Sequence, residues 1–190
     1  MDIQLTWDLF VLVFFVIIVA YSLIIGRDNT LKVILGTYVA GFTADALGNL
    51  FALNFAGSKF LAEILRMSDF GTETEAIIFV KVLVFVTMVI LFAVKGAFSV
   101  DVDENSSSTM RMVFSIVYAI LSAGLIISII LVFVSGFSFV GAKIASADAA
   151  LLNLATQSLL IKSIITHSYI WFSLPAVVFL VQSFYKKKGE

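Results

Sequence analysis

Cysteine is absent from the 190-residue chain, and proline and histidine occur once each, as Pro175 and His167. The first absence excludes disulfides, thiolate-held metals and cysteine nucleophiles, and it leaves the redox compartment open. One histidine without cysteine gives too few ligands for a catalytic zinc site. No His-Glu-x-x-His, Gly-x-Ser-x-Gly or glycine-rich phosphate loop occurs, so neither a metalloprotease, a serine hydrolase nor a nucleotide-binding enzyme is indicated. Charge is also scarce. Asp, Glu, Lys and Arg make up 13% of the residues, against roughly 25% in an average soluble domain. The net charge of −1 offers no electrostatic footprint for nucleic acid. No cofactor is implied, and the chain reads as non-enzymatic.

What fills the sequence is apolar. Hydrophobic residues account for 61%, with 19 phenylalanines among them. Left in water, so much apolar surface would be strongly disfavoured, whereas in lipid it is at rest. With a single proline the runs are long and uninterrupted, which suits spanning helices rather than the alternating strands of a barrel. The expected fold is all-α: one polytopic transmembrane helical bundle over residues 1–190, with no room for a separate soluble domain.

Five apolar segments are predicted as helices at about 9–25, 33–56, 76–94, 112–135 and 163–185, of which four or five span. The first resembles a signal peptide in length. Its leading residues, however, carry Asp2 and Asp8 without a lysine or arginine, so it reads as a retained helix with Trp7 at the interface. Between the second and third segments, Lys59, Glu63, Arg66 and Asp69 alternate with Phe60, Leu61, Ile64 and Leu65, as in a short amphipathic helix lying in the membrane surface. A hydrophilic loop holds Asp101, Asp103, Glu104 and Asn105. It mimics the start of a calcium loop but has Ser106 at the turn glycine and Met112 at the closing glutamate, and is rejected as one. The fourth run is expected to end near Ser135, where Gly136, Ser138 and Gly141 weaken it. Residues Lys143 to Lys162 are mildly polar.

Asp45 is the most informative residue. It stands near the middle of the second apolar run, which places it close to the bilayer midplane. A central aspartate costs roughly 2.5–3.5 kcal/mol on insertion scales. Two readings stand: an ion or proton site, or a structural hydrogen bond to a neighbouring helix. Either way the side chain is expected inside the protein and largely protonated at neutral pH, unless a nearby cation holds the charged form. Lys81 is the nearest candidate cation, although its long stem is expected to snorkel outward. Asn49 shares the Asp45 stripe. His167 reads as a satisfied interfacial or core residue, with a proton-relay role as the alternative.

The second segment also carries small residues at four-residue spacing. Gly36, Ala40, Ala44 and Gly48 form one stripe, and Thr37, Gly41, Asp45 and Asn49 the next. Such stripes let helix backbones approach closely in lipid. The neighbour is expected within the same chain, with a second copy or another membrane protein as the alternative.

Together these residues resemble the colicin V production protein family of CvpA-like membrane proteins. The likeness runs from Trp7–Asp8 leading into the first helix, through Gly26–Arg27 closing it and Leu31–Lys32 opening a small-residue-rich second helix, to two further apolar helices. It continues into the stretch from Ser158-Leu159-Leu160-Ile161 to Leu174–Pro175. The resemblance implies a bacterial inner-membrane protein linked to export or envelope homeostasis, and it brings no catalytic residues. The alternative is a small oligomeric channel or ion-coupled transporter with Asp45 in its pathway.

Orientation follows from the basic residues, which stay preferentially cytoplasmic. With five spans and the N-terminus outside, Arg27, Lys32, Lys95, Arg111 and Lys186 to Lys188 are cytoplasmic, and Lys59, Arg66, Lys81, Lys143 and Lys162 are not. The native chain lacks cysteine, so single cysteines can be placed at Asp2, Ser107 and Gly189 and probed with an impermeant maleimide on intact cells. Asp2→Cys alone should label. Equal protection of Asp2→Cys and Gly189→Cys would place both termini on one side.

Overall fold

The computed structural model describes residues 7–67, 71–95, 108–140 and 158–186. The acidic loop at 101–107 and most of the 143–162 stretch lie outside the described residues. Among those described, seven helices and no strand occur: α1 Trp7–Ile25, α2 Arg27–Phe55, α3 Lys59–Met67, α4 Glu73–Lys95, α5 Ser108–Val134, α6 Leu159–Thr166 and α7 Ser168–Lys186. Four of them, α1, α2, α4 and α5, are long and apolar enough to cross a membrane, an architecture compatible with an integral membrane protein.

A single residue, Gly26, joins α1 to α2 with φ +82°, a left-handed conformation that other residues adopt only at a cost. The reversal exposes the last carbonyls of α1, which have no partner inside their helix. Asn29 Nδ2 donates to Ile25 O at 2.9 Å, and Thr30 Oγ1 lies 2.9 Å from Ser22 O and 2.8 Å from Gly26 O. Arg27 to Thr30 therefore form the first turn of α2, which begins six residues before the expected Val33. Polar side chains there cap the preceding helix and so need no loop.

Packing contacts give the helix directions. Gly36 faces Phe92 and Gly48 faces Lys81, so α4 runs antiparallel to α2; Gly41 faces Ile129 and Asp45, further along, meets Ser138 just past α5, so α5 runs parallel to α2. On α5, Gly124 receives the Trp171 ring and Tyr118 donates to Gln182, so α7 runs antiparallel to α5. Helix α5 is the centre of the bundle. In its apolar window 78% of the residues are buried, against 11% for α1 and 17% for α4. The outer faces of those two carry Phe10, Val16, Ile17, Leu83 and Ile90, all about half exposed, as helices surrounded by lipid would.

The fifth apolar segment differs from the single helix expected at 163–185. It starts at Leu159 and breaks at His167 into α6 and α7, which meet at 59°. Ser158 caps α6 by accepting from Ile161 N–H, and its hydroxyl donates to Asp8 at the start of α1. At the other end of the pair, Gln182 meets Tyr118 on the N-terminal half of α5. The two pieces thus run from the Trp7 end of the bundle to its Arg27 end. The break has a local cause: both the backbone N–H of His167 and its Nδ1 turn to Ser163 O, at 3.0 and 2.9 Å, so a side chain competes for helix hydrogen bonds at that turn. Pro175 sits inside α7, where it has no amide to give. In the turn before it, Tyr38 Oη donates to Phe172 O at 2.6 Å.

The amphipathic α3 is capped by Ser58, whose hydroxyl accepts from Leu61 N–H at 3.2 Å. Its Leu61 is buried while Phe60 is 56% exposed.

Close packing makes two glycines sensitive. A Cβ at Gly36 would lie 2.6 Å from Phe92 Cβ, an atom fixed to the α4 backbone, and one at Gly124 would enter the Trp171 ring. Gly36→Leu and Gly124→Leu should each lower thermal stability in detergent by ~1–3 kcal/mol or more, while Leu50→Ile, at an exposed position, should change little. Wild-type melting of both leucine variants would mean that these helices are not packed as described.

Candidate functional site

Asp45 is completely buried, and so is Lys81, at 0% and 1% exposure. Lys81 does not snorkel outward as expected. Its ammonium donates to Asp45 Oδ1 at 2.5 Å and sits 5.8 Å from the centre of the Phe133 ring. Gly48 makes this possible, because any side chain there would collide with the methylene stem of Lys81. The stem lies along α2 in the groove that glycine leaves, so the ammonium reaches inward to Asp45, one turn before Gly48.

The second carboxylate oxygen has three more donors. Ser138 Oγ, Phe139 N–H and Val140 N–H all donate to Asp45 Oδ2, at 2.8, 2.6 and 2.7 Å. These groups follow the end of α5. Gly136, with φ +77°, stops the helix: its N–H bonds to Phe133 O at 2.9 Å and Phe137 N–H bonds to Val132 O at 3.2 Å. This 6→1 and 5→2 pair is the Schellman arrangement, in which glycine takes the left-handed position. The turn carries the chain sideways, so that residues 138–140 lay their donors against α2. The Lys81 ammonium, over Phe133, lies near the C-terminal end of α5, whose partial negative charge favours a cation.

Every partner of Asp45 is a donor, and one of them is a cation. The side chain acts as an acceptor on both oxygens, and Lys81 is the nearby cation that its sequence position suggested. Hydrogen bonds to a charged group contribute about 1.5–3 kcal/mol each, so the four together are comparable to the roughly 5–7 kcal/mol that insertion scales assign to an aspartate and a lysine inside the bilayer. With α2 running Arg27–Phe55, Asp45 lies ~27 Å from the start of the helix and ~15 Å from its end.

Asn49, one turn further along α2, lies beside the pair. Its Nδ2 donates to Ser138 Oγ at 2.9 Å and to Val140 O, while its Oδ1 is buried with no protein partner. The two small-residue stripes meet different neighbours. Gly36 and Gly48 face α4, Gly41 faces α5 through Ile129 Cδ1, and Ala40 and Ala44 are fully buried among them. His167 is not brought to this site. It is exposed at the α6–α7 break, with Ser163 and Tyr169 as its contacts. Ser138 and the two amides are the members that sequence reasoning missed. Gly136 just past an apolar run was the available signal for a helix stop, but nothing in the spacing tied residues 138–140 to Asp45.

Among the described residues no group of three His, Asp or Glu side chains converges on a metal position. A crevice of about 410 Å³ between α2 and α7 is lined by apolar side chains and Tyr38, and neither Asp45 nor Lys81 reaches it. Comparison with protein-family models, with curated proteins and with solved structures gives no match.

A double-mutant cycle tests the pair. Lys81→Met and Asp45→Asn should each destabilise by ~3–5 kcal/mol, because each leaves the other group buried without its counter-charge. The double variant should lose markedly less than the two added together. Ser138→Ala should cost about 1.5–3 kcal/mol. Additive losses, read from detergent melting curves, would mean that the two charges are not coupled.

Proposed function

We propose that the chain is a non-enzymatic integral membrane protein of the CvpA-like type, working as a scaffold in export or envelope homeostasis in the bacterial inner membrane. The observation that carries this reading is the closure of the Asp45 site. A conducting or ion-coupled pathway needs its carboxylate to meet water or a moving ion. Here both oxygens are engaged by the protein's own donors, and the residue has no exposed surface. A carboxylate so held stiffens a framework; it has no oxygen left over for a passing ion. The residues that carry the resemblance to the colicin V production proteins lie on elements that build this framework, with Gly26–Arg27 at the α1–α2 turn and Leu31–Lys32 in the first turns of the helix that bears Asp45.

A cytoplasmic C-terminus is part of the proposal. The helix directions bring Arg27, Lys32, Lys95, Arg111 and the end of α7 at Lys186 to one end of the bundle. Five of the nine described lysines and arginines are there, and the end richer in basic residues is the one that stays cytoplasmic under the positive-inside rule.

Flux in liposomes tests the reading against the transporter. The purified chain, reconstituted with a pH-sensitive or cation-sensitive dye inside, should pass protons and monovalent cations no faster than empty vesicles. Asp45→Asn should lower the melting temperature and leave that background unchanged. Flux through the wild type that is lost in a folded Asp45→Asn variant would instead assign Asp45 to a transport pathway.

A further inference from the structure

The crevice between α2 and α7 has a shape and a setting that the framework role does not use. Its walls are Leu31, Ile34 and Phe42 on α2 and Pro175, Ala176 and Phe179 on α7. The one polar group on the wall, the Tyr38 hydroxyl, is already engaged with Phe172 O, so the crevice offers no polar atom to a ligand. From Leu31 to Phe42 it follows eleven residues of α2, about 16 Å. That is close to half the ~30 Å hydrocarbon thickness of a bilayer, the depth of a single leaflet. The deep end is shut by aromatic rings: Phe42 packs on Phe139 at 5.9 Å between centres, and Phe139 on Phe172 at 5.3 Å. A neighbouring transmembrane helix needs a seam through both leaflets, whereas one acyl chain needs a slot through one. The volume of about 410 Å³ falls within the ~300–1,000 Å³ range of small-molecule sites.

The open end has a sign. Lys32 is half-buried one helical turn from Leu35, which lines the crevice, and Arg27 is nearly one and a half turns earlier on the same helix, shared with Asp28 at 3.4 Å. Helix α7 ends at Lys186, at the same end of the bundle. Basic pockets between helices at the membrane surface suit anionic lipid headgroups. We infer that the crevice is a binding site for an anionic glycerophospholipid, with one acyl chain between α2 and α7 and the phosphate at Lys32.

The test weighs the full chain in neutral detergent by native mass spectrometry after incubation with phosphatidylglycerol or phosphatidylcholine of the same acyl composition. The wild type should keep one phosphatidylglycerol per chain and lose phosphatidylcholine. Ala176→Phe, which fills the crevice, should keep neither. Lys32→Gln should retain phosphatidylglycerol about fivefold less well, the effect of one basic residue at the membrane surface. Equal retention of the two lipids by the wild type overturns the proposal, as does wild-type retention of phosphatidylglycerol by a folded Ala176→Phe. If Ala176→Phe instead converts a dimer to a monomer without changing bound lipid, the occupant is a second copy and the lipid site is wrong. Should Ala176→Phe not fold, the Lys32→Gln comparison decides alone, and undiminished retention there refutes the headgroup contact.

Discussion

The rest of the structure is arranged around a carboxylate that has to be held on both oxygens. Lys81 takes one oxygen of Asp45 from α4, and the segment after α5 takes the other with a hydroxyl and two backbone amides. Three parts of the chain far apart in sequence are therefore joined through one side chain of α2. In lipid this matters more than it would in water. The hydrophobic effect does not press apolar helices together when the solvent is itself hydrocarbon, so specific packing and polar contacts must do it. A buried ion pair is weak evidence for stability in general, because desolvation offsets the attraction. Its strength here lies in completeness, since the Asp45 oxygens have four donors between them.

Close backbone approach is what lets the charges meet. Gly48 leaves the groove along which Lys81 lies, and Gly36 seats Phe92 more than three turns away at the other half of the same α2–α4 seam. The adjoining stripe turns to α5 through Gly41 and to the return segment through Asp45 and Asn49. Two stripes of small and polar residues on one helix thus define two different neighbours. Gly124 does the same work on α5, where it admits the Trp171 ring and brings α7 against the centre of the bundle.

The break in the last apolar segment belongs to the same economy of contacts. α6 lies against α1 and α5, with Ile161 packed beside Val11, Ile127 and Leu131, and Ser158 ties it to Asp8. α7 then crosses alongside α5 and makes one hydrogen bond to α2, from Tyr38. A crevice of about 410 Å³ lies between α2 and α7 beside that tie.

The sequence by itself determined the class of the fold: the apolar runs, their lengths and the scarcity of charge are enough to read an all-α bundle, because crossing lipid demands long helices that satisfy their own backbone. The amphipathic piece at Lys59–Met67 and the end of the fourth run near Ser135 were legible for similarly local reasons. Asp45, Lys81 and Asn49 could be singled out because polar groups in apolar runs are conspicuous. Their arrangement could not be. Whether Lys81 turns inward or outward depends on the groove opposite it, and that groove belongs to another helix. The Ser138 hydroxyl and the amides of Phe139 and Val140 are ordinary in sequence and become partners only when the glycine stop after α5 points them at α2. Nor could the sequence reveal that α5 is the centre while α1 and α4 face outward. In water a buried face is apolar and an exposed face polar, and the alternation can be read. In lipid both faces are apolar, so inside and outside look alike until tertiary packing distinguishes them.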